Sequence, residues 1–401
     1  MSTDYDIITV GGGLGGAALA KAMAEKGYRV LVLERETQFK DRVRGEWMAP
    51  WGVAETKELG IYGLLMESCG YEPLWWDTRL GPASLGDRDL AATTPGGCHS
   101  MTFYHPQMQE TLIVAAEKAG AEVRRDVRVR GIETGAERSV HLEWRGGAET
   151  VGGRLIVGVD GRSSLVRKWT GFEVLRIREQ NQICGVFFQD IPAPQDRSIL
   201  VLNPFIQRIV IIFPQSERRA RVYIVNRVDE GMRLQGEKDV PRFIEECVKT
   251  GVDPAYFEGA QAAGPLATFP GVYEWVERPY KDGVALIGDA ACTSDPTWGQ
   301  GLSLTVRGVR ALRDALLAED DWDRAGLAYS EEHARFWGTS RTVEGWFTEL
   351  FFAKGPAADT VRGRALGLIA QEPDRLHDCA LSGPDAAPAD EEARRRFFGE
   401  E

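Results

Sequence analysis

The chain has 401 residues, is 43% hydrophobic and 27% charged, and carries a net charge of −12. That composition suits a globular protein with a large core and two or three domains. The acidic balance opposes a nucleic-acid partner or stable association with an anionic membrane.

Six cysteines (Cys69, Cys98, Cys184, Cys247, Cys292 and Cys379) form no CxxC pair. They read as reduced thiols of a cytoplasmic protein, with no metal site. The opening "MSTDYDIITVGGG" has too short an apolar run for a signal peptide, and no run of about 18 apolar residues marks a spanning helix.

"YDIITV" reads as a buried strand. "LGGAALAKAMAEKG" reads as a close-packing helix stopped near Gly27, and "YRVLVLE" as a second strand. Strand, helix and strand in that order begin a parallel sheet. Residues 35–60 read as loop then helix, 74–102 as irregular or hairpin structure, and 107–120 as an amphipathic helix. From 181 to 227 four strands follow one another with short polar turns and no helix, which predicts an antiparallel sheet in a second domain. "DGVALIGDA" returns to a single strand, and "LSLTVRGVRALRDALLAED" is a strong helix. The region from about 329 is helical and aromatic, with a polar tail that reads as partly disordered.

Three stretches carry chemistry. In "GGGLGG", Gly11, Gly13 and Gly16 satisfy G-x-G-x-x-G between a strand and a helix. Gly11 makes the turn, Gly13 admits a pyrophosphate, and Gly16 lets helix pack on strand. Glu34, 21 residues after Gly13, ends the second strand where a ribose-binding acid belongs. This pattern serves NAD and FAD alike. In "LIVGVDGRSSLVRK" a strand ends at Asp160-Gly161. In "LIGDAACTSDPTWGQG" Asp289 ends another strand, and Gly299 to Gly301 open the next helix. Asp289 should lie at the carboxyl edge of the sheet, with a second helix N-terminus aimed at the same crevice.

Together these stretches resemble the class A flavoprotein monooxygenases, the FAD-dependent aromatic hydroxylases built like p-hydroxybenzoate hydroxylase. The resemblance covers about half the chain. It implies an α/β fold: a Rossmann-type FAD-binding domain (1–72, 101–175, 281–328), an inserted antiparallel β-sheet substrate domain (73–100, 176–280), and a helical C-terminal segment (329–401).

It also implies non-covalent FAD held by Gly11, Gly13, Leu14, Gly15 and Gly16, with Glu34 and Arg35 at the adenosine and Arg44 at the pyrophosphate. Val129 would touch adenine and Asp289 the ribitol. The loop with Pro296, Gly299 and Gly301 would line the isoalloxazine, and the backbone at Leu302 and Ser303 would meet its pyrimidine edge. Asp160 would support both FAD and NADPH or NADH, the transient reductant. The family has His where Cys292 stands, Asn where Ser303 stands, and Arg or Gln where the register places His105.

In the family, reduced flavin takes O₂ to a C4a-hydroperoxide that hydroxylates or epoxidises a small apolar or aromatic molecule. The cofactor carries that chemistry, while the protein positions and excludes water. Substrate-side candidates are Glu46 as a catalytic acid, Trp47, Phe187 and its neighbour Phe188, and Trp298. Trp337, Trp346 and Phe351 read as core or dimer contacts, in a monomer or homodimer. The alternatives are a halogenase-like enzyme, although its Trp-x-Trp-x-Ile-Pro motif is missing, or a flavin-binding cyclase or oxidase without net oxygenation.

Overall fold

The computed structural model describes residues 4–135, 137–178 and 180–400. In chain order, β1 (Tyr5–Val10), α1 (Leu14–Ala24) and β2 (Val30–Leu33) form the opening unit. β3 (Trp47–Met48), α2 (Pro50–Glu58), β4 (Trp75–Leu80) and β5 (Ala83–Arg88) follow. Next come α3 (His105–Lys118), β6 (Glu122–Arg124), β7 (Arg128–Glu133), β8 (Ser139–Trp144) and β9 (Gly147–Gly158). The four-strand run is β10 (Asn181–Gln189), β11 (Arg197–Asn203), β12 (Arg208–Pro214) and β13 (Ala220–Arg227), followed by α4 (Val240–Thr250). β14 (Tyr273–Trp275), β15 (Val284–Leu286) and β16 (Cys292–Thr293) lead to α5 (Gly301–Ala318). The C-terminal layer is α6 (Trp322–Phe352), α7 (Pro356–Gln371), α8 (Cys379–Ser382) and α9 (Glu391–Phe398).

β15, β9, β1, β2 and β6 lie side by side, all parallel. β1 and β2 are buried on both faces, which their near-continuous Val/Ile/Leu runs require. Small residues of α1 (Ala17, Ala18 and Ala20, all fully buried) let it sit close to the sheet.

The second sheet runs β10, β13, β12, β11, β4, β5 and is antiparallel except for the β11–β4 pair. Residues 74–102 are therefore largely ordered, and supply the hairpin β4–β5 to this sheet. Side chains alternate along β10. Cys184, Val186 and Phe188 enter a core shared with Phe243 and Cys247 of α4, while Ile183 and Phe187 take the other face.

The C-terminal tail departs from its sequence expectation. α9 is ordered because Phe397 is buried against Trp346 and Phe347 of α6, with Phe398 buried beside it. Two adjacent aromatics anchor a helix whose remaining residues, Ala393 apart, are charged. Among the described residues, no helix is long and apolar enough to cross a membrane, and no group of three or more His, Cys, Asp or Glu could hold a metal ion.

Candidate active site

One cleft of about 1490 Å³ runs from the first glycine turn, over the carboxyl ends of the parallel strands, to the face of the second sheet. Single-ligand pockets are typically about 300–1,000 Å³, so this cleft has room for a cofactor and a second molecule.

At its first end, Gly11 has φ +115°, and a Cβ there would lie 2.4 Å from the Val159 carbonyl oxygen. A Cβ on Gly16 would lie 1.9 Å from the Gly11 carbonyl oxygen. Gly13 differs: its Cβ would meet only Gln109 Nε2, at 3.3 Å. Gly13 is also the N-cap of α1 and provides no side-chain cap, so first-turn N–H groups remain available to an anion. Leu14, Gly15, Arg35 and Val129 line the same end. The Glu34 carboxylate is fixed at the rim, accepting the Gly12 amide at 2.8 Å and the Glu36 amide at 2.9 Å.

Midway, Asp289 sits just past β15 and is half-buried. Desolvation raises its carboxyl above the ordinary range, against the opposing pull of Arg44, Arg162 and Arg167. Asp160 accepts the Leu165 and Val166 amides through Oδ2, at 2.7 and 3.2 Å, while its Oδ1 has no protein partner. Gly299, at φ +69°, turns the chain into α5, and a Cβ there would lie 2.9 Å from the Trp47 ring. α5 also begins without a side-chain cap, and Pro296, Gly301 and Leu302 line the cleft beside it.

At the far end the wall is apolar: Ile183, Leu200, Leu202, Ile211, Phe213 and Phe347. Trp47 stacks on Phe213 at 5.5 Å between ring centroids, 6° from parallel. Trp298 packs on Phe347 and donates its indole N–H to Thr348 Oγ1 at 3.1 Å, which ties the cleft loop to α6. Arg88 of β5 and Asp378 before α8 close the outer edge with two 2.8 Å bonds.

Several sequence expectations need correction. Glu46 is fully buried and paired: it meets Arg221, Gln215 Nε2 (2.6 Å) and the His105 amide (3.0 Å), so it anchors structure rather than moving protons. His105 does line the cleft, its Nδ1 held at 2.8 Å from the Gly45 carbonyl, but Gln109, one turn later on α3, is the side chain that reaches Gly13. The Ser303 side chain turns away from the cleft, its Oγ accepting the Ala49 amide at 3.2 Å, because a step of one residue rotates the helix by about 100° from Leu302, which leaves only the backbone of Ser303 to the cofactor side. Phe187 does not line the cleft; it packs on Tyr104 and Arg221. Asp295, in the same loop as Pro296, is buried and bonded to Thr297 and Asn181. Val43 has φ +52°, so Arg42 and Arg44 diverge: Arg42 turns to Glu36 while Arg44 faces the Asp289 crevice.

Gln109, Arg162 and Tyr223 were not foreseen. Arg162 directly follows Asp160-Gly161, which was the available signal. Tyr223 lines the substrate end and donates its hydroxyl to the Arg44 carbonyl at 2.6 Å, a contact between distant segments that left no sequence pattern.

These residues fit a dinucleotide. Two uncapped helix ends, a rim carboxylate, a glycine cradle and the free Asp160 Oδ1 converge on one crevice, the build of a nucleotide-dependent oxidoreductase. A family model described as "FAD binding domain" matches residues 4–336. Digeranylgeranylglycerophospholipid reductase of Methanosphaerula palustris is 27% identical over 360 residues, spanning 84% of this chain and 82% of the relative. Squalene monooxygenase of Mus musculus is 24% identical over 368 residues, 85% of this chain and 59% of that protein. The crystal structure of p-nitrophenol 4-monooxygenase from Pseudomonas putida superposes with a TM-score of 0.80 at 18% identity, over 95% of this chain and 98% of that one. The chain belongs to the FAD-binding domain family. It has the fold of the class A FAD-dependent monooxygenases and is an FAD-dependent oxidoreductase.

Proposed function

We propose that the enzyme is an NAD(P)H-consuming monooxygenase that hydroxylates or epoxidises an apolar or aromatic small molecule. The observation that carries this reading is the continuity of the cleft, from the Gly13 cradle past Asp289 to a wall of Ile, Leu, Phe and Trp. Bound FAD supplies the reduction of O₂ and the oxygen transfer. The chain's own residues do the rest. The N-termini of α1 and α5 and the guanidinium of Arg44 bind and orient negative charge. Asp160 and Asp289 accept hydroxyl hydrogen bonds.

The apolar wall, Trp298 and the C-terminal helices exclude water from the reacting centre. The squalene and digeranylgeranyl relatives act by name on isoprenoid chains, and p-nitrophenol is aromatic; the wall suits both classes. Reduction without oxygenation is the second reading, favoured by the reductase that matches 84% of the chain. Parallel traces of NAD(P)H and O₂ consumption separate the two. Oxygenation requires substrate-stimulated loss of both in equal amounts, whereas reduction of the substrate proceeds without O₂.

A further inference from the structure

α6 carries a polar stripe on its inner face. Ser330, His333, Trp337, Ser340 and Glu344 recur at spacings of three and four, which places them along one line of a helix. Each is at most 3% exposed. Each also holds at least one buried polar atom with no hydrogen-bond partner in the protein: both serine Oγ atoms, both His333 nitrogens, Trp337 Nε1 and both Glu344 carboxyl oxygens. Buried polar groups are ordinarily satisfied by protein or by internal water. Five in register point to a built feature rather than to loose packing. All but the first two lie beyond residue 336, where the family match ends.

The stripe runs behind the loop that borders the cleft. Trp337 packs on Tyr273 and Trp275 of β14, at 6.5 and 6.2 Å between centroids. Thr348, one turn past Glu344, accepts from Trp298 and donates to the Glu344 carbonyl at 2.8 Å. The titratable groups facing Glu344 are Tyr273 from β14, Cys292 from β16, Asp295 from the loop and Cys379 from α8. None is a cation, and no Lys or Arg pairs with Glu344 among the described residues. Asp295 accepts from the Thr297 amide, the Thr297 hydroxyl and Asn181. Glu344 faces a single donor, the Tyr273 hydroxyl. Of two facing carboxyls, the one with more donors holds charge more readily and the other keeps a proton. Burial, with the charge of Asp295 added, pushes the Glu344 carboxyl well above the usual range.

We propose that this stripe binds a row of internal water molecules ending on a protonated Glu344, and that Glu344 is a positioning residue for loop 292–298 where it meets the flavin. The water satisfies the orphan groups. The proton keeps two carboxyls from repelling each other beneath Pro296 and Trp298. Loss of that proton would push the loop out of register with the cofactor.

The test is the FAD dissociation constant of the full chain, from flavin fluorescence between pH 6 and pH 10, for wild type, Glu344→Gln and Asp295→Asn. Wild-type affinity should fall at least tenfold across the range. Glu344→Gln, a mimic of the protonated acid, should stay within twofold, and Asp295→Asn should flatten the curve by removing the facing charge. If Glu344→Gln does not fold, Asp295→Asn decides alone. Parallel curves for the wild type and the folded variants overturn the positioning role. A high-resolution crystal structure of the holoenzyme should show ordered water on Ser330 Oγ, His333 and Ser340 Oγ; a dry, closed stripe overturns the water row.

Discussion

Arg221 and Glu46 form a fully buried ion pair that joins β13 of the second sheet to the loop before β3, with Nε–Oε2 at 2.9 Å and Nη2–Oε1 at 3.0 Å. Asp41 takes a further bond from Arg221 at 2.8 Å. The pair holds the strained turn at Val43 and hence the neighbouring Arg44. Removing one partner leaves an uncompensated buried charge, which costs about 3–5 kcal/mol. Glu46→Ala should therefore lower stability by that order, and the double variant Glu46→Leu/Arg221→Met should recover much of it. Urea unfolding of the three proteins measures this. Full activity and stability in Glu46→Ala would remove the anchor role.

The three glycines of the first turn should separate by function. Gly16→Ala brings a Cβ onto the Gly11 carbonyl and should fail to fold or lose several kcal/mol. Gly13→Val should fold, because only the flexible end of Gln109 is near. Its side chain would occupy the anion cradle, so FAD affinity should drop at least tenfold, about 1.4 kcal/mol. Circular dichroism and flavin fluorescence on each variant distinguish the two cases.

Asp289 and Asp295 should also separate. Asp289→Ala loses a charge-assisted hydrogen bond to bound cofactor, about 1.5–3 kcal/mol of FAD affinity, with little change in apoprotein stability. Asp295→Ala strands the Thr297 and Asn181 donors in the interior and should cost about 1–3 kcal/mol of apoprotein stability. Equal FAD affinities with equal melting temperatures would refute both assignments.

Burial lowers the His333 imidazole to about 3 and the His105 imidazole to about 4. Both groups are then neutral in the folded protein near pH 6, while the unfolded chain takes up protons below about 6.5. The unfolded state binds more protons, so stability is present above that value and falls as pH drops from 6.5 to 5, with a limiting slope of about 1.4 kcal/mol per pH unit for each histidine. His333→Phe should remove about half of that slope. An unchanged slope would mean that His333 is protonated in the fold.

The cofactor crevice was legible in the sequence because backbone geometry dictates its residues. Gly11 needs a positive φ, Gly16 admits no Cβ, and Asp289 comes three residues after the end of a strand. Side-chain direction was not legible. Ser303 and Leu302 are neighbours on one helix, yet only Leu302 faces the cleft. Glu46 looked like a free acid because its partner Arg221 lies 175 residues away. His105 and Gln109 differ by a single helical turn, which a motif register does not resolve. The polar tail concealed Phe397 and Phe398, whose burial depends on aromatics of α6 far earlier in the chain.

The reaction itself is tested most directly by isotope. FAD-loaded enzyme with NADPH under ¹⁸O₂ is offered a panel of polycyclic phenols and isoprenoid alkenes, and the products are weighed by mass spectrometry. One ¹⁸O atom per product molecule is the outcome expected of the monooxygenase. A product two hydrogens heavier and free of label, or label arriving only from ¹⁸O-water, would contradict it.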